Sequence, residues 1–162
     1  MALMVLVAGC ALPQAIDVSL QPHEDSAQLE LLVKHVHQKV NEYRASQNLA
    51  ELKLDSRISR VARRHSAAMA QGVVSFNHRG FQSRARTIRK FLAYRAVAEN
   101  LAYNRGGATP ASTAMESWLR SNSHREAIEG RFQRTGIGVA KSKEGRYYFT
   151  QLFVLPLRSD FK

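Results

Sequence analysis

The sequence predicts an α/β chain, a three-layer α/β/α sandwich with a central, largely antiparallel sheet. Two observations carry that reading. First, the segment Arg146 to Val154 puts Tyr147, Phe149 and Phe153 on one face of a strand and Tyr148, Leu152 and Val154 on the other. A sheet that is apolar on both faces needs cover on both. Second, the chain upstream supplies that cover as amphipathic helices, with apolar residues at steps of three and four. The length of 162 residues, 44% hydrophobic and 23% charged, suits a single core and argues against a disordered, collagen-like or multi-span membrane chain.

Residues 1–10 read as a leader. Leu3 to Ala8 is apolar, is too short to span a bilayer, and matches the central region of a signal peptide, although no Lys or Arg precedes it. Val7-Ala8-Gly9-Cys10 resembles a bacterial lipobox, which makes Cys10 the expected lipidation site. A single cysteine also rules out an internal disulfide, a CxxC pair or a zinc knuckle. Residues 11–27 hold Pro13 and Pro22 without a sustained period and read as a tether. The folded domain is placed at 28–156 and a tail at 157–162.

Within the domain, Leu29, Leu32, Val33, Val36, Val40 and Tyr43 mark a first helix that starts near Gln28 and stops at Asn48. His35 and His37, two residues apart, point to different faces and read as exposed polar residues. Asp55 takes an N-cap position, and Ile58, Ala62, His65 and Met69 trace one stripe of a second helix that stops at Gly72. His65, on that stripe, reads as a hydrogen-bonded core residue. From Val73 to Tyr94 the period is lost, and a loop with a short helix over 87–92 is expected. Ala111, Met115 and Trp118 share the face of a helix opened by Thr109-Pro110, since proline suits the first turn. Ser121-Asn122-Ser123 ends it, and His124 to Ile128 read as a short turn. Thr135 to Lys141 and Arg146 to Val154 form a hairpin around Ser142 to Gly145.

Charge is unevenly distributed. The chain has 24 Lys and Arg against 13 Asp and Glu, a net charge of +11. Ten basic residues and no acid lie between Arg57 and Arg95, so that stretch holds nearly all the excess. A polarised domain of this kind favours an anionic partner, with Arg79, Arg84, Arg86, Arg89 and Lys90 as the expected contacts.

Eight short motifs occur in order. They are Val40-Asn41-Glu42-Tyr43-Arg44, Leu54-Asp55, His65-Ser66-Ala67-Ala68-Met69-Ala70, Phe76-Asn77-His78, Ala98-Glu99-Asn100-Leu101-Ala102, Trp118 to Arg125, Thr135 to Ala140, and Tyr148 to Phe153. The series resembles the CAP superfamily of cysteine-rich secretory, antigen five and pathogenesis-related proteins, most closely its short bacterial SCP-like members, over about residues 31 to 153. The resemblance implies an α/β/α sandwich and a cleft with two histidines and two acids, which in some members hold a divalent metal. Carried over by motif, the histidines are His78 and His124 and one acid is Glu99. Ser121 stands where the second acid would be, and Ser121 and Gln151 are expected to line the cleft. Imidazole suits zinc, but two histidines and water make a weak site, so no cofactor is required and any zinc is loosely held.

Three functions follow as expectations. The favoured one is a non-enzymatic, monomeric, extracytoplasmic module that binds an unidentified small or lipid ligand and is anchored through Cys10. No HExxH, GxSxG or P-loop motif occurs. The second is a metal-assisted hydrolase using His78 and His124, with Glu99 as general base. The third is polyanion binding through the stretch 57–95. There an anionic membrane surface is expected ahead of nucleic acid, because an acyl chain and a basic patch together bind membranes better than either alone.

Overall fold

A computed structural model describes residues 21–107 and 109–157. The leader with Cys10, most of the tether and nearly all of the tail lie outside the described residues. The elements are α1 (Gln21–Ser46), β1 (Lys53–Leu54), α2 (Ser56–Ala70), α3 (Phe81–Arg89), β2 (Tyr94–Asn104), α4 (Pro110–Arg120), α5 (Asn122–Glu129), β3 (Arg134–Lys141) and β4 (Tyr147–Pro156). The sheet runs β1-β3-β4-β2, antiparallel except for the short parallel pairing of β1 with β3.

The expected helices form for the expected reasons. Asn48 takes a left-handed conformation (φ 57°) after α1, and Leu49 N–H donates to the Arg44 carbonyl (2.9 Å) to close the helix end. Asp55 caps α2, accepting from the N–H groups of Arg57 (2.9 Å) and Ile58 (3.4 Å). Pro110 opens α4 at its first turn.

Besides the two-residue β1, which was not expected, four elements differ from the sequence reading. The first helix begins at Gln21, within the expected tether, because Pro22 breaks nothing in a first turn that needs no N–H partner. The short helix falls at Phe81–Arg89 instead of 87–92; only Ala85 and Ile88 are buried in it, too few to set a visible period. Residues 124–128, read as a turn, lie within helix α5 (Asn122–Glu129). The eleven-residue strand β2 is the largest omission. Adjacent polar residues Glu99 and Asn100 interrupt its apolar pattern, each facing a different layer.

The two faces of the sheet carry separate cores. Ile137, Val139, Phe149 and Phe153 pack with Val36 and Val40 of α1, Trp118 of α4 and Ile128 of α5. Leu152 and Val154 pack with Ile58, Val61 and Ala62 of α2 and with Ala85 and Ile88 of α3. On that second face α2 lies almost against the strand backbone. A Cβ on Gly136 would sit 2.3 Å from the Ile58 carbonyl carbon, and one on Gly138 would sit 2.1 Å from the Arg63 nitrogen. The fold is therefore the expected α/β/α sandwich. Asn41 in α1 ties the start of the β1 segment, accepting from Leu52 N–H (2.9 Å) and donating to the Leu52 carbonyl (3.1 Å). His37 Nε2 lies 2.7 Å from the same carbonyl. The expectation that His37 is a free surface residue is corrected: it is half-buried and bonded, while His35 is exposed.

Candidate functional site

The site straddles β2, an edge strand of the sheet. Successive side chains on a strand point to opposite faces, so Glu99, paired with Leu152, faces the α2/α3 layer, and Asn100, paired with Gln151, faces the α1/α4/α5 layer. Each holds one histidine. His78, from the connection between α2 and α3, lies with Nδ1 2.9 Å from Glu99 Oε1. His124, in the first turn of α5, is held through its carbonyl, which accepts from Asn100 Nδ2 (2.9 Å). The two imidazole centroids are 6.3 Å apart. The pair is thus assembled from opposite layers around one strand edge.

A carboxylate accepts, so His78 Nδ1 donates to Glu99 and its Nε2 is turned outward on a half-exposed ring. Glu99 itself is sealed, with only 2% of its side chain exposed. Arg84 of α3 grips it bidentately, Nε to Oε2 at 2.6 Å and Nη2 to Oε1 at 2.7 Å. The guanidinium also donates to the carbonyls of Arg79 (3.1 Å) and His78 (3.4 Å), which fixes the loop carrying His78.

His65 completes the support. Arg84 Nη1 lies 3.3 Å from His65 Nδ1, and a guanidinium only donates, so that ring nitrogen accepts. Nε2–H then donates to the Asn77 carbonyl (3.2 Å), which makes His65 a neutral ring. Burial, followed by the nearby Arg84 charge, holds its pKa below the usual histidine value. Burial and then the neighbouring His78 depress the pKa of His124 as well.

The structure therefore brings His78, Glu99 and His124 to one place, with Glu99 bonded to His78. Ser121 joins α4 to α5, its hydroxyl 3.3 Å from that of Ser123, near His124 in sequence. Gln151 does not line the cleft: it faces the same layer as its partner Asn100 but is fully buried on the inner strand β4, and it donates to Thr135 Oγ1 (3.1 Å). Arg84 is also a correction, since it turns inward to Glu99 and is not a surface cation. Arg79, Arg86, Arg89 and Lys90 are exposed, Arg89 lying over the Tyr94 ring at 4.3 Å. Sequence reasoning missed Arg84 as a residue that holds the site together. A period-two reading of Glu99, Leu101 and Tyr103 would have found the strand and its shared face.

The donor set does not fit a resident metal. Among the described residues, no group of three or more His, Cys, Asp or Glu side chains is arranged to hold an ion. Both oxygens of Glu99 already accept from a guanidinium, leaving two imidazoles with a fixed positive charge close behind them.

With fold and cleft in view, the class is an α/β/α domain with a histidine pair at a strand edge. The model of the CAP cysteine-rich secretory protein family matches residues 37–153, and the chain belongs to that family. Solved structures agree in fold. An extracellular protein of Bacillus anthracis with an SCP domain is 21% identical with TM-score 0.69; the match covers 83% of this chain and 43% of that one. An outer surface protein of Borrelia burgdorferi is 21% identical with TM-score 0.65, covering 77% of this chain and 92% of that one. A cysteine-rich secretory protein of Staphylococcus aureus is 19% identical with TM-score 0.61, covering 78% and 39%. The chain thus spans less than half the length of the first and third. No curated protein matches it.

Proposed function

We propose that this chain is a non-enzymatic, extracytoplasmic binding domain that receives an oxygen-bearing group of a small or lipid ligand between His78 and His124. One observation carries the choice over a hydrolase: the acid beside the histidines, Glu99, is buried, bound on both oxygens by Arg84, and bonded to His78. A general base must reach the proton it removes, and Glu99 reaches only its own partners. Its role is to set the tautomer and direction of His78, leaving Nε2 free toward a ligand. The extracytoplasmic placement draws support from the Bacillus and Borrelia proteins, described as extracellular and outer surface, and from the lipobox-like Val7 to Cys10.

The test is calorimetric titration of zinc, as a probe of the imidazole pair, beside turnover of a chromogenic ester with and without zinc. Weak saturable binding abolished by the double variant His78→Ala, His124→Ala, with no turnover, is expected. Tight binding that depends on Glu99, or turnover lost in a folded Glu99→Gln variant, would show a metal-assisted hydrolase instead.

A further inference from the structure

From the α2/α3 layer we infer a second binding surface, independent of the cleft: this face docks on an anionic lipid bilayer. Helices α2 and α3 together hold seven arginines and no Asp or Glu. Acids that reach the layer from elsewhere are engaged: Asp55 with Arg57 and Arg134, Glu99 with Arg84, and Glu30 at 3.5 Å from Arg63. Arg60, Arg64, Arg86, Arg89 and Lys90 are exposed and make no ion pair among the described residues. A groove of ≈ 220 Å³ between the helices, lined by Arg64, Ser83 and Thr87, offers a guanidinium and the Ser83 hydroxyl to a phosphate, the Thr87 hydroxyl already donating to the Ser83 carbonyl (3.0 Å).

Charge alone does not choose among polyanions; the connection between the helices does. It carries Val73 (72% exposed), Val74 (39%) and Phe76 (42%) on the same layer, where His78 of the same loop meets Glu99. Exposed apolar side chains flanked by cations match the boundary of headgroups and acyl chains, where the charges meet lipid phosphates and the apolar residues leave water. A nucleic acid would satisfy the arginines but would leave the two valines exposed. Docked in this way, the His78 end of the cleft opens beside the bilayer surface.

The experiment is co-sedimentation of the full chain carrying Cys10→Ser with phosphatidylcholine vesicles, with and without about one third phosphatidylglycerol. Binding to the anionic vesicles only is expected, falling steeply between about 50 and about 200 mM salt. The variant Arg60→Gln, Arg64→Gln, Arg86→Gln, Lys90→Gln should lose more than about a hundredfold in binding with an unchanged melting temperature, since each surface charge contributes about fivefold. Phe76→Ser should weaken binding at every salt concentration. Equal binding to both vesicle types, or unchanged binding by the four-charge variant, overturns the inference. Duplex DNA binding as tightly as vesicles, with Phe76→Ser having no effect on either, would reassign the face to general polyanion contact and overturn it too.

Discussion

Gly136 and Gly138 bring α2 against the backbone of β3, while on the reverse of the same strand Ile137 and Val139 hold α1 and its neighbours away with side chains. The two layers also handle a buried arginine differently. Arg84, in the α2/α3 layer, faces the full negative charge of Glu99. Arg44, in the other layer, is 2% exposed and donates to carbonyls: Ala50 at 2.8 Å, and Ile128 at 2.5 Å and Gly130 at 2.9 Å, at the C-terminal end of α5. Burial pulls its pKa down, and the negative end of the α5 dipole stabilises its charge. The α1/α4/α5 layer is thus an ordinary packed core with a cation that pins a helix end. The α2/α3 layer lies close on the sheet, and its charges pair with Asp55, Glu30 or Glu99 or face solvent. The candidate site draws one histidine from each layer, and its buried ion pair from the side where side-chain bulk was given up.

The largest expected effect breaks the close approach. Gly138→Ala adds a single methyl group, yet the atoms in its way are α2 backbone, which cannot rotate aside. Denaturant unfolding should show a loss of roughly 3 kcal/mol or more. Val139→Ala, one residue along on the opposite face, removes two methyl groups and should cost only about 2 kcal/mol. A reversed order would mean that α2 is free to shift outward.

The buried arginines come next. Glu99→Ala leaves the Arg84 guanidinium buried without a counter-charge and should cost about 3 kcal/mol. Arg44→Ala strands three carbonyls and should cost a comparable amount. Only the first should also disturb the imidazole NMR signals of His78 and His65, because only Arg84 touches that network. The exposed pair of Arg120 with Glu116, 3.8 Å apart on α4, is the control: Glu116→Ala should stay within about 0.5 kcal/mol.

Acid should then separate the layers more gently. His65 and His124 both have pKa values below the ordinary 6.5 in the folded chain. The unfolded chain therefore binds more protons once pH drops through that value, and stability present above it declines as pH falls toward the folded pKa values. Thermal melts from about pH 7 to about pH 5 should record this decline, and His65→Gln should flatten part of it. The smallest effect is expected at Arg60→Gln, whose melting temperature should match the parent, because that side chain faces solvent and makes no ion pair among the described residues.

Much of the architecture was legible because burial on two faces writes itself into β4: Phe149 and Phe153 against Leu152 and Val154 require two covering layers. Asp55, Pro110 and Asn48 marked helix ends by local chemistry alone. The motif series singled out His78, Glu99 and His124, and their meeting point follows from the fold. Strand β2 was not legible, since its central pair, Glu99 and Asn100, is polar for the sake of the site and breaks the apolar alternation that identifies a strand. Gln151 was misplaced because its motif does not tell how deep a strand residue lies: it shares the face of Asn100 but sits fully buried on the inner strand β4.

What the sequence determined by itself is the three-layer class, the capped helices, the family motifs and the net basic charge of one stretch, all properties carried by local spacing and composition. Tertiary structure alone decided which of the ten cations is internal. Arg84 is indistinguishable from Arg86 or Arg89 in the sequence, and its partner Glu99 lies fifteen residues away on a different element. Burial of an ion pair depends on which surfaces meet, and no local pattern encodes that.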